Sequence, residues 1–203
     1  MTNFVLASSS PRRRQLLAAA GYMFRVIPPD ESAEDGLLPD ERVECYVCRL
    51  AVQKAQNVAE KIVSGMVIGC DTVVFCNKNI LEKPADGHDA RRMLTMLRDR
   101  EHSVLSGLCV LNKTAEIVTK NVRYAETKLR MEQITDAMID AYLQTGAWQG
   151  KAGAFGYQDG NDWLQILEGS ESNVAGLPLE LLMEMLPHGK RQNTPVDKIP
   201  ALL

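Results

Sequence analysis

Apolar residues along the 203-residue chain gather in short runs and in one stripe at helical spacing, and these predict the elements. Phe4-Val5-Leu6-Ala7 is a short apolar run that predicts a first strand. Ser10 and Pro11 are suited to an N-cap and a first helical position, so a helix is expected from there to Gly21. Tyr22 to Ile27 resembles a second strand. An acid-rich stretch follows from Asp30 to Glu44, and its first half is expected to be a solvated loop. Val43, Val47, Leu50, Ala51, Ala55, Val58 and Ile62 then fall on one helical stripe, predicting a long helix over about 40–64. Lys54 interrupts the pattern, because it lies four residues from both Leu50 and Val58 and so belongs to that stripe.

MVIGCDTVVF, at 66–75, is a strong strand signal with Asp71 as its lone charge. A turn at Asn77-Lys78-Asn79 and a short ILEKP segment come next. The pattern predicts a helix over 87–98, then strands over 102–111 and 115–128 joined at Asn112-Lys113. Thr135 is placed to cap a helix that reaches Thr145 and stops at Gly146. GKAGAFGYQDG, at 150–160, is a glycine-rich loop before a strand at WLQIL. A last helix is expected over 178–186, with a frayed tail after Pro187. Strands and helices alternate without internal repeats, which indicates an α/β protein.

Bulk composition narrows the function mainly by exclusion. The formal charge is −3, so no global field draws nucleic acid or a membrane, and any anion must be held by a local cluster. Aromatic residues make up 5%, too few for a platform on which single strands stack. Cys70 and Cys109 lie in strand-like runs. Cys45 and Cys48 lack a second Cys or His pair at zinc spacing, so they are expected to be thiols on a helix face. The first residues do not combine a basic region with a long apolar core, and no apolar run has membrane-spanning length. A cytoplasmic protein is expected, with neither a nucleic-acid nor a membrane partner.

Three arginines, Arg12, Arg13 and Arg14, crowd the first turn after SSSP, where each exposed cation is disfavoured by about 0.3–1 kcal/mol. They read either as a solvated basic turn or as an anion site made of serine hydroxyls, free N–H groups and guanidinium forks. Asp71 reads either as a structural carboxylate tied to a neighbour or as a metal ligand or general base at a sheet end. Lys54 and Lys83 could each snorkel along an apolar surface. Together with Asp71 and Glu31 in the acidic loop, however, they form the set that phosphoryl or nucleotidyl chemistry needs. His88, His102 and His188 show no ligand spacing and read as surface or capping residues. Trp148 and Trp163 read as packing residues. Neither a Walker A loop nor a G-x-S-x-G elbow is present.

Five ordered motifs resemble those of the Maf family of nucleoside triphosphate pyrophosphatases. They are LASSSPRRRQLL, Glu31 in the acidic loop, RLAVQKA around Lys54, GCDTVV with EKP, and KAGAFGYQ followed by GSESNVAGLPLELL. The resemblance implies an elongated mixed β-sheet flanked by helices (a Maf/ITPase-like fold), with a cleft between two lobes of one domain over 1–190 and a tail over 191–203. It also implies a cytoplasmic enzyme, often a homodimer, that hydrolyses a nucleoside triphosphate to the monophosphate and pyrophosphate with a divalent metal, Mg2+ or Mn2+. Carried over by position, Asp71 is the proton acceptor, with Lys54 and Lys83 catalytic. Ser8, Arg12, Arg13, Thr72 and Gln158 bind substrate, and Glu31 with Asp71 holds the metal. Arg12, Thr72 and Gln158 resemble the dTTP/UTP branch, whereas the 7-methyl-GTP branch typically has tryptophan and glutamine at the first two places. The chain departs from the family pattern at Ser106, where threonine is usual, and in DGNDW after Gln158, where glycine is common. Two other readings are a nucleotide-binding regulatory module linked to cell-division control without turnover, and a pyrophosphatase of broader or 7-methyl-GTP specificity. A pure binder has no need of Asp71.

Overall fold

The computed structural model describes residues 4–186; His188 and the tail expected over 191–203 lie outside them. The strands are β1 (Phe4–Ala7), β2 (Phe24–Val26), β3 (Gly65–Cys76), β4 (Asn79–Leu81), β5 (Arg100–Lys113), β6 (Val118–Met131) and β7 (Leu164–Glu168). The helices are α1 (Pro11–Ala19), α2 (Val43–Glu60), α3 (Gly87–Leu97), α4 (Asp136–Gln144), α5 (Glu171–Val174) and α6 (Leu179–Met185). All seven strands form one mixed sheet in the order β2-β1-β3-β5-β6-β7, with β4 added to β3. This is the α/β fold expected, with its mixed sheet flanked by helices.

β3 organises the sheet. Along one edge it pairs antiparallel with β5, from Gly65 opposite Lys113 to Phe75 opposite Ser103. On the other edge, β1 pairs parallel with residues 66–69 and β4 pairs antiparallel with residues 74–76. Residues 70–73 therefore lie between two short partners, and that gap in the sheet edge is where a cleft can open.

Successive residues of β3 face opposite layers. Val67 packs with Ala51, Ala55 and Val58 of α2, and Val73 packs with Val47 and Leu50. On the opposite face, Ile68 and Cys70 pack with Leu16, Leu17 and Leu182, while Val74 joins Leu94 and Ile139. The apolar stripe read from the sequence is buried, and Lys54 is buried with it at 7% exposure. What lets α2 lie so close is bare backbone. A Cβ on Gly69 would sit 2.2 Å from the Ala51 carbonyl oxygen, and one on Gly107 would sit 2.1 Å from that of Val47. Gly107 is the cross-strand partner of Asp71, so the closest approach falls beside the lone strand charge.

Several boundaries differ from the sequence expectation. α2 starts at Val43, because Asp40 takes a left-handed φ of 56°. Lys113 Nζ donates to the carbonyls of Ala59 and Ile62 at 2.8 and 2.9 Å, closing the end of that helix. Lys113 and Asn112 accordingly stay in β5, and the turn to β6 falls just after them, over residues 114–117, where Thr114 Oγ1 accepts from the Ile117 N–H at 3.0 Å. Ser10 occupies the N-cap of α1 but makes no side-chain capping bond. α5, at four residues, is too short to display a helical period in the sequence.

His102 corrects another expectation. It is buried at 4% exposure, set edge-on to Phe155 with ring centroids 5.4 Å apart, and its Nε2 has no partner. Burial holds the ring neutral and pushes its pKa down to about 4. Below the ordinary value of 6.5, the unfolded chain takes up a proton that the fold refuses. Stability should therefore fall as pH drops from 6.5 towards 4, by on the order of 3 kcal/mol. Urea midpoints measured across that range should fall more steeply for the wild type than for His102→Gln. In a second test, Gly107→Ala should destabilise the fold by about 3 kcal/mol, because the clash is with helix backbone. An unchanged urea midpoint would show that α2 can move away freely.

Candidate active site

A cleft of about 370 Å³ opens at the gap in the β3 edge. It is walled by the β1–α1 turn, α2, β3, the segment after β4, the loop over 149–159 and the connection from α5 to α6. Ser8, Arg12, Arg13, Lys54, Asp71, Thr72, Lys83 and Gln158 all line it. Glu31 does not: it is exposed, in a 3-10 turn over Glu31–Ala33. Glu34, three residues on, lines the cleft instead. The sequence signal for Glu34 was only its place in the acid-rich run, which does not distinguish one carboxylate from the next.

At one end, Lys54 Nζ donates to Asp71 Oδ1 at 2.6 Å and lies 3.0 Å from Glu34 Oε2. Both Lys54 and Asp71 are buried. The tie to a neighbouring cation, one of the two readings of Asp71, is thus present, and it stands inside the cleft. Lys83 is exposed at the cleft wall. Partial desolvation there, then the charges of Lys54 and Arg13, push its ammonium pKa down, while Asp71 and Glu34 oppose the shift.

The three arginines part company. Arg13 is buried, with Nε donating to the Gly176 carbonyl at 2.7 Å and Nη1 to the Cys70 carbonyl at 2.7 Å. Nη1 also reaches Ser8 Oγ at 3.3 Å, and Nη2 reaches Thr72 Oγ1 at 3.1 Å. Its guanidinium therefore clamps α1, β3 and the α5–α6 connection together, and little of its donor fork is left for a ligand. Thr72 Oγ1 also lies 2.8 Å from Ser106 Oγ, which keeps the hydroxyl of the usual threonine. Arg12 is half-buried and makes one protein bond, from Nη2 to the Gly150 carbonyl at 3.0 Å. Desolvation first, then the charge of Arg13, pushes its pKa down. Arg14 is exposed and does not line the cleft.

At the other end, the loop over 149–159 supplies Gln158, whose amide offers a donor and an acceptor together. Here Asp159 pairs with Lys151 and accepts from the Tyr142 hydroxyl at 2.6 Å. Among the described residues, no group of three His, Cys, Asp or Glu could cage a metal unaided. Asp71 and Glu34, flanking one ammonium, are nevertheless a two-carboxylate set of the kind that suits Mg2+ when phosphate oxygens complete its shell.

A family profile described as Maf-like protein matches residues 3–188. A protein of Rhodopirellula baltica named dTTP/UTP pyrophosphatase is 46% identical over 185 residues, spanning 91% of this chain and 81% of its own. Proteins of the same name from Geotalea uraniireducens and Ruminiclostridium cellulolyticum are 43% and 37% identical. They span 88% and 92% of this chain, and 90% and 95% of their own lengths.

The geometry separates the arginines experimentally. Arg13→Met should cost about 3 kcal/mol or more of stability, because it strands buried carbonyls of Cys70 and Gly176. Arg12→Met should change stability by less than about 1 kcal/mol. Equal losses in urea unfolding would contradict this division.

Proposed function

The chain belongs to the Maf family, and from that membership and the cleft we propose that it is a nucleoside triphosphate pyrophosphatase acting on dTTP and UTP. The observation that carries this reading is the buried Asp71, held at 2.6 Å by Lys54 in the same cleft as the basic helix start. A protein that only bound triphosphates would need the cations but would gain nothing from a desolvated carboxylate beside them.

In the proposed reaction, Asp71 accepts a proton from water as the water oxygen bonds to the α-phosphorus. The anhydride bond to the β-phosphate breaks in line, and pyrophosphate leaves with the electron pair. Lys54 and Lys83 offset the charge that gathers on the leaving group. Lys54 is well placed to do so without rearrangement, since Asp71 and Glu34 already hold its ammonium. Asp71 and Glu34 would hold a divalent ion, Mg2+ or Mn2+, which when bound would offset phosphate charge and aid ionisation of water. Arg12 is the guanidinium of the helix start with donors free for phosphate, and Ser8 lies at the same turn. Arg13 and Thr72 contribute by shaping the wall, and Gln158 reads the edge of a pyrimidine ring. A cytoplasmic location and homodimeric assembly are part of the same proposal. No helix among the described residues is long and apolar enough to cross a membrane.

With Mg2+ and dTTP or UTP, the purified protein should release pyrophosphate. Asp71→Asn should keep its circular dichroism spectrum while kcat falls by about 10²–10⁴-fold. Near-normal turnover in that variant would remove Asp71 as the base. A nucleotide panel headed by 7-methyl-GTP would overturn the pyrimidine assignment.

A further inference from the structure

The charges that line the cleft fall into two groups. Lys83 interacts with Lys54, Arg13, Asp71 and Glu34, whereas Lys151 interacts with Asp159 and Arg12. The first group surrounds the catalytic carboxylate. The second lies around Gln158, and its acid, Asp159, is the first residue of the DGNDW stretch that the proposed reaction leaves unexplained.

Asp159 has both carboxylate oxygens occupied: Oδ1 by Lys151 Nζ, and Oδ2 by the Tyr142 hydroxyl at 2.6 Å. The Lys151 and Asp159 side chains are only 12% and 16% exposed. Tyr142 comes from α4 and is locked edge-on against Trp163, with ring centroids 5.6 Å apart, so the anchor is a core residue. The loop is shaped around the pair. A Cβ on Gly156 would lie 2.5 Å from Lys151 Nζ and 2.7 Å from each carboxylate oxygen. Gln158 and Asp159 share one 3-10 turn, Tyr157–Asp159, so anchoring the Asp159 side chain fixes the backbone that presents the Gln158 amide. Arg12, bonded to the Gly150 carbonyl, ties this loop to the start of α1.

We infer that Asp159 is a positioning residue for the nucleobase end of the cleft. It holds the turn that carries Gln158 and neutralises Lys151, so that this end takes an uncharged, planar ring edge with a donor and an acceptor. The inference rests on the nucleotide reading above and adds to it the group that sets the base subsite. Without the carboxylate, the Lys151 ammonium would lie unpaired and largely covered beside Arg12, and the turn would lose both of its side-chain ties.

The test separates base recognition from phosphate recognition and does not depend on turnover. Titration calorimetry with Mg2+ would compare the uncleavable α,β-methylene analogue of dTTP with inorganic tripolyphosphate, on the wild type and on Asp159→Asn. The variant should bind the analogue about tenfold more weakly and bind tripolyphosphate within about twofold of the wild type. Tyr142→Phe, which removes one tie and keeps the ring, should show the same selective loss at smaller size, and it serves if Asp159→Asn does not fold. Equal loss for both probes, or no loss for either, would overturn the inference. A wild type that binds the analogue yet releases no pyrophosphate from dTTP would sink the enzyme reading alone. A wild type that binds neither probe would sink both.

Discussion

The ion pair between Lys54 and Asp71 joins the middle of α2 to the middle of β3, and each partner offsets the cost of burying the other. An ammonium on the apolar stripe of a helix and a carboxylate in a buried strand are each costly when unpaired, by several kcal/mol. Their 2.6 Å contact is possible because α2 rests on glycine backbone at Gly69 and Gly107 instead of on side chains. A bulkier layer there would lift the helix and part the charges. The same contact stands at residues 70–73, where β1 has ended and β4 has not begun, so the pair opens onto a cleft instead of being sealed in the core.

The basic turn after SSSP shows how one local pattern can serve several ends. Cations at a helix start are unfavourable when they face the helix dipole alone. Arg13 avoids that penalty by turning inward to the carbonyls of Cys70 and Gly176, which also ties the distant GSESNVAGLPLELL segment to the helix start. Arg14 faces solvent, and Arg12 alone stays at the cleft with donors to spare. The cleft thus holds more cations than it offers to a ligand. Lys151 and Arg13 are committed to protein acceptors and Lys54 is shared with Asp71 and Glu34, leaving Arg12 and the exposed Lys83 as the least encumbered.

Much of this was legible in the sequence, for reasons that differ by element. The stripe from Val43 to Ile62 is periodic and reports which face of the helix is buried, while the apolar, β-branched run over 66–75 marks a strand covered on both faces. Lys54 and Asp71 stood out as charges at positions those patterns reserve for apolar groups. Glu34 did not, because every residue of the acid-rich run looks alike until the loop folds back onto α2. His102 read as a surface residue because nothing local shows that Phe155 and the core close over it. The turn at Thr114 was misplaced because Lys113 is held in β5 by carbonyls of α2, a contact that strand propensity cannot see.

By itself, then, the sequence determined the elements, their buried faces, the mixed α/β class and the set of charged groups available for chemistry. These follow from short-range periods and residue types. Only the tertiary structure decided which of those charges face a ligand and which hold the protein together. Arg13 finds its acceptors 57 and 163 positions away, and Lys54 finds Asp71 across a helix–sheet contact whose closeness two glycines permit. A side chain's role at this site depends on the partners that satisfy it, and those partners are brought together by packing between distant segments.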